Sequence, residues 1–243
     1  MVPVPVDGPV GPEDAAFTPR MRMTLRLPEG PVIEAVAKLG GSPVWLAESA
    51  WPVSPTSGAP LLFIGQFPVP VAPGEAARMA YLFLEDDGNC LGGLDRPEKE
   101  SGDAAVIIQP GGRIRPGVLI GPPGTTGPTL WTNTDEQTPV EWLVDLAPFA
   151  PHDEEAIEQY VAWTRGERGE PELYADDETH NWLGGRPLYP NFALVGHPWR
   201  FFFQLEGLEG DADDAYCLYF AEGTGHAYLS PDGLEGFFIW QAA

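Results

Sequence analysis

The chain of 243 residues carries 13 basic and 36 acidic side chains, a formal net charge of 13 − 36 = −23. A field of that sign repels nucleic-acid backbones and anionic membrane surfaces, so neither is an expected partner. With 43% hydrophobic and 11% aromatic residues the composition excludes a disordered chain, and a globular chain of this length buries roughly 70–75% of its unfolded surface without help from metals or disulfides.

Residues 1–17 are rich in Pro, Gly and Asp without periodicity and read as an extended arm ahead of a single domain over 18–243. From Arg20 to Leu27 the residues alternate, with Met21, Met23, Leu25 and Leu27 on one face and Arg20, Arg22, Thr24 and Arg26 on the other, the pattern of a half-buried strand. The arginines are expected to pair with carboxylates of a neighbouring element. Pro31 and Gly40 bracket Val32, Ile33, Val36 and Leu39, which predicts a short helix. Apolar runs predict strands at 61–67, 79–85, 106–108, 118–120, 142–146, 199–205, 215–220 and 237–240, separated by turns that the 28 prolines and 29 glycines supply. A second helix is predicted over 153–165, with Asp153 as its cap and Ile157, Tyr160 and Val161 as its apolar stripe.

Two segments repeat. Leu39-Gly40-Gly41-Ser42-Pro43 and Leu183-Gly184-Gly185-Arg186-Pro187 share L-G-G-x-P, and each is followed by an apolar run ending in glutamine, at Gln66 and at Gln204. A third match sets 80–84 against 215–220. Paired glycines let the chain turn where a side chain would clash, and two such units packed together bury the sheet face that each leaves exposed. The expected fold is therefore α+β, mostly antiparallel strands with few short helices. It has two pseudo-symmetric halves from an internal duplication, over about 18–103 and 151–243, joined by strands and loops over about 104–150.

Together with Trp51-Pro52 and with His180 ahead of the second glycine pair, these segments resemble the YwqG-like family of bacterial proteins, a family of unknown function. The resemblance runs from about Lys38 to Gln241; Tyr216, after Asp214-Ala215, departs from the glycine that the family pattern has there. It implies a fold class and a bacterial origin and brings no catalytic residues. It also implies the company of toxin systems, in which an acidic protein would serve as an immunity-type partner of a basic toxin.

Constellations that would carry chemistry are sparse. Gly121 to Thr129 has the glycines of a phosphate loop, but Pro128 stands where the lysine is needed. No G-x-S-x-G or H-E-x-x-H segment occurs, so no catalytic residue is assigned. Asp176, Asp177 and Glu178 are the candidate metal ligands, and Glu209, Asp211, Asp213 and Asp214 the candidate contacts for a basic partner. Gln66 and Gln204 at strand ends, with Trp51 and His180, are the candidate ligand-binding residues, since ligands favour the junction of repeated halves. No cofactor is indicated.

Cys90 and Cys217 lack metal-site or framework spacing and are expected as free thiols. No apolar run approaches the roughly 20 residues of a membrane helix, and the N-terminus lacks a leader pattern, which makes the cytoplasm the expected location. The expected function is non-enzymatic binding of a basic protein. A metal-dependent hydrolase built on the acidic loops and a structural component of an assembly are the alternatives.

Overall fold

The computed structural model describes residues 19–85, 102–131, 138–164, 169, 181–187, 195, 198–206, 208–209, 216–217 and 224–241. The α+β expectation is overturned, because ten antiparallel strands close into one barrel and the described residues hold a single helix, α1 (Pro151–Thr164). Closure leaves no sheet edge running the length of the wall.

Half of the barrel wall comes from β2 (Lys38–Gly40), β4 (Leu62–Val69), β5 (Arg78–Leu84), β6 (Ala104–Gln109) and β8 (Glu141–Pro148), in the order β8-β2-β4-β5-β6. The other half comes from β1 (Met21–Arg26), β9 (Trp182–Leu183), β10 (Arg200–Glu206), β13 (Thr224–Leu229) and β14 (Gly236–Gln241), in the order β1-β9-β10-β13-β14. The arcs meet where β6 pairs β14 and where β8 pairs β1. The first strand in sequence, β1, thus sits beside β9 of the second arc, while β8, which precedes the second arc in sequence, sits beside β2 of the first. Each arc borrows its outer strand from the other's stretch of chain. Two short pairs lie outside the barrel, β3 (Pro52–Val53) with β7 (Leu119–Ile120) and β11 (Leu208–Glu209) with β12 (Tyr216–Cys217).

The registers of the arcs correspond residue by residue. Lys38 faces Gln66 and Trp182 faces Gln204. Both third strands carry a register shift at the same place, between Phe63 and Gly65 and between Phe201 and Phe203. Two expectations are corrected by this register. The strand paired to β10 is β13, not 215–220, of which the described part, β12, pairs instead with β11. Residues 31–40 form no helix, since their last three residues are β2, wedged between β8 and β4; the apolar spacing there is irregular chain covering the wall, with Ile33 83% exposed.

Away from β1 and β8 the wall is buried on both faces. Leu62, Ile64 and Phe67 of β4, Ala80, Leu82 and Leu84 of β5, and Phe203, Leu205 and Ala227 of the second arc fill the interior. The alternate residues Phe63, Tyr81, Phe83 and Ile107 lie under a second cluster with Trp45 and Trp51. Phe201, Tyr228, Phe237 and Ile239 lie under a third with Ile157 of α1 and Phe149. A strand covered on both sides has no polar face to display, which is why β4 and β5 read as continuous apolar runs. The adjoining strands β1 and β8 keep an alternation, with Met23 and Val144 buried and Thr24, Arg26, Asp145 and Ala147 exposed.

Residues 44–48 run as a strap over the outside of the first arc, held by one polar side chain from each of three wall strands. Gln66 accepts from the Val44 amide at 2.8 Å and donates to the Val36 carbonyl at 2.9 Å. Tyr81 accepts from the Leu46 amide at 2.9 Å and donates to the Val44 carbonyl at 2.8 Å. Gln109 accepts from Ala47 at 3.0 Å and donates to Glu48 at 2.7 Å. Backbone groups of an irregular segment lying on an apolar wall would otherwise go unsatisfied, and Trp45 completes the strap by packing on Tyr81 at 4.5 Å.

Candidate functional site: a split in the barrel wall

With three residues, β2 is far shorter than the eight-residue strands on either side of it. Past its N-terminal end no strand among the described residues lies between β8 and β4, and beyond Ala37 the wall splits. A groove of about 830 Å³ occupies the split, floored by Leu143 to Leu146 of β8 and Pro68 of β4 and walled by the irregular residues 28–37.

One edge of the groove is open backbone. Met23 and Leu146 stand opposite each other in the β1–β8 pair, and the Met23 amide donates away from β8, to the Asn181 carbonyl at 3.1 Å. In an antiparallel ladder that makes them a non-hydrogen-bonded pair, so the amide and carbonyl of Leu146 point away from β1. The same side of β8 is used two residues earlier, where the Val144 amide donates to the Ala37 carbonyl at 3.0 Å. Beyond that bond the line of β2 stops, and the main chain of Leu146 has no backbone partner among the described residues on that side.

The second arc shows how such a gap is closed. Asn181 holds the register position of Ala37, and its side-chain carbonyl accepts from the Glu206 amide at 2.7 Å. In the first arc the corresponding positions are Ala37 and Pro68, one with no side-chain acceptor and the other with no amide to satisfy. Among the described residues no side chain closes the split in this way. Its lining holds three carboxylates, Glu29, Glu34 and Asp145, against one guanidinium, Arg26. Arg26 and Asp145 pair at 3.0 Å, and that carboxylate, aided by Glu29, raises the arginine above its ordinary range. Glu29 and Glu34 are exposed and form no ion pair within 4 Å among the described residues.

The residues singled out from the sequence lie elsewhere. Gln66 is wholly buried and spends its amide on the strap. Trp51 is buried, with its indole nitrogen donating to the Leu61 carbonyl at 2.8 Å and its ring 5.2 Å from that of Phe83. Gln204 is likewise wholly buried at the register position of Gln66, so the structure does not bring these three to one accessible place. His180, Asp176, Asp177, Glu178, Asp211, Asp213, Asp214 and Cys90 lie outside the described residues, and Glu209 is described only as a residue of β11. Among the described residues no three of His, Cys, Asp and Glu gather to hold a metal ion. No helix there is long and apolar enough to cross a membrane.

Sequence reading missed Glu29, Glu34, Asp145 and Leu146, which chain positions more than a hundred residues apart bring to one groove. The only signal available was the shortness of the segment between Pro31 and Gly40, misread as helix. No protein-family model matches the chain, and a search of the curated proteins finds no match to it.

Proposed function

We propose that the protein is a non-enzymatic binding protein for a basic protein segment, received at the split between β8 and β4. The observation that carries this reading is the groove's excess of carboxylates, three against one guanidinium, opening beside unpaired backbone in a protein of net charge −23. Charge of one sign in a cleft raises the encounter rate with its opposite, and salt weakens the effect. An immunity-type role toward a cationic toxin, the role implied by the YwqG-like resemblance, is one biological form of this reading.

Selection of a displayed random-peptide library on the whole protein tests it. The expected consensus contains arginine or lysine, and the selected peptides lose at least about fivefold in affinity in the E29Q/E34Q variant, the order of one charge contact near a surface. The D176N/D177N/E178Q variant, measured in parallel, separates the groove from the acidic loop. A consensus without basic residues, or affinity unchanged in E29Q/E34Q, overturns the assignment.

A further inference from the structure

Resting on that reading, we infer that the partner binds as an extended strand added to β8, pairing with the main chain of Leu146 and continuing the line on which β2 stops. Three observations converge on this mode. The Leu146 amide and carbonyl face the groove by the alternation that Met23 and Val144 establish on either side. The bond from Val144 to Ala37 is the last rung of a ladder that the groove leaves open. The side chain of Leu146 packs against the barrel interior, so the main chain is what β8 offers to a visitor.

An extended segment suits the lining better than a helix does. Strand addition takes its affinity from main-chain hydrogen bonds and its specificity from alternate side chains. Here one set of alternate side chains would face inward over Ala37, Pro68 and Val144, where small or branched apolar groups fit. The other set would face outward between Glu29 and Glu34, where cations fit. The occupant is accordingly a basic partner whose docking segment alternates apolar and cationic residues. Exposed Ile33, at 83%, stands in the groove wall, placed to cover one flank of that segment.

The probe is a fluorescent octapeptide alternating valine and arginine, compared with two copies N-methylated at one or the other set of alternating amides, and with a helix-forming peptide of equal charge. In anisotropy titrations of the full chain, methylation of the set that faces β8 is expected to cost at least about tenfold in affinity, and methylation of the other set much less. Amide exchange supplies a readout that needs no variant. Leu146 exchanges fast in the free protein and slows on saturation with the peptide, whereas Val144 is protected in both states. Equal loss from the two methylation patterns, or a Leu146 amide unprotected in the complex, overturns strand addition. If E29Q/E34Q still weakens binding in that case, the acidic-groove reading survives it. Failure of the octapeptide to bind overturns the inference, and the library selection then decides the broader reading alone.

Discussion

The two L-G-G-x-P turns stand at equivalent places in the barrel and are held by different chemistry. All four glycines have positive φ, Gly40 at 65° and Gly41 at 62°, Gly184 at 76° and Gly185 at 68°, a region costly for any residue with a Cβ. At the first turn Lys38, wholly buried, donates to the Ser42 carbonyl at 2.6 Å and pairs with Glu141 of β8, whose other oxygen accepts from the Val32 amide at 3.1 Å. At the second, Trp182 holds the register position of Lys38, and its indole nitrogen donates to the Arg186 carbonyl at 3.2 Å, again four residues on. Arg20 extends β1 to the position of Glu141 and lies 5.0 Å over the Trp182 ring, with Glu158 of α1 at 3.3 Å from its guanidinium. One turn is tied by a buried ion pair, the other by an indole and a cation over its face. What is preserved is a donor reaching the carbonyl after the glycines and a side chain of the crossing strand filling the space over the second glycine, so the backbone geometry constrains the pair and not the residue types.

The largest expected effect tests the second turn. Trp182 is fully buried among aromatic neighbours, and W182A should cost about 3–5 kcal/mol, the range for deleting a large core ring, read as a shift in denaturation midpoint at unchanged slope. K38M should cost about 3 kcal/mol, because removing one partner of a buried pair strands the other; Glu141 is 19% exposed, which places the loss at the lower end of that range. Adding E141Q to K38M should restore part of it, giving a coupling of about 1–3 kcal/mol. Additive losses would break the comparison, since they would show that Lys38 acts by packing alone. Smaller again are the glycine changes. A Cβ on Gly41 would lie 2.1 Å from the Glu141 carboxylate and one on Gly185 would lie 2.8 Å from the Arg20 side chain. Each substitution to Ala pays about 1–2 kcal/mol for the left-handed backbone, and G41A adds the displacement of a carboxylate from its lysine. G41A should therefore be the worse of the two, and equal losses would mean that backbone strain is the whole effect.

How much of this was legible follows from what each segment has to do. The strands β4, β5 and β10 announced themselves because apolar residues cover both their faces, and β1 because it alternates. The glycine pairs were visible because only glycine tolerates those dihedrals beside a crossing strand. Residues 31–40 misled because Val32, Ile33, Val36 and Leu39 fall at helical spacing between Pro31 and Gly40, while barrel closure required Lys38 and Leu39 to bridge β8 and β4, a demand that local pattern does not contain. Thr224–Leu229 shows a weaker strand pattern than 215–220 because Gly225 and His226 interrupt its apolar run, yet both sit within the register opposite β10. Gln66 drew attention as a ligand contact when its amide is taken by residues 36 and 44. The groove was invisible for a simpler reason. It exists where β2 is missing, and an absent strand leaves no residue to notice.

The smallest effect at neutral pH concerns the positions opposite the two strand-end glutamines. Tyr81 faces Gln66 in the first arc and His226 faces Gln204 in the second; both side chains are wholly buried. Burial pushes the Tyr81 hydroxyl up to about 12, against a lowering from its bond with the Leu46 amide. A tyrosine in the unfolded chain ionises near 10, so the folded state binds this proton more tightly. Its contribution to stability is fully present below about pH 10 and is lost as pH rises from about 10 towards 12, where the unfolded state gains charge that the buried site refuses. Denaturant midpoints should therefore fall across that window, and Y81F should flatten the fall while losing about 1 kcal/mol in all at neutral pH, because Val44 is only part-buried and Leu46 exposed, so that water can take the place of the lost hydroxyl. Tyrosinate absorbance followed during alkaline unfolding separates the causes. One tyrosine whose ionisation coincides with unfolding, and which disappears from that phase in Y81F, assigns the effect to the strap. A Y81F protein with the same alkaline profile as its parent would assign it to the other tyrosines and leave the strap without a role in the pH response.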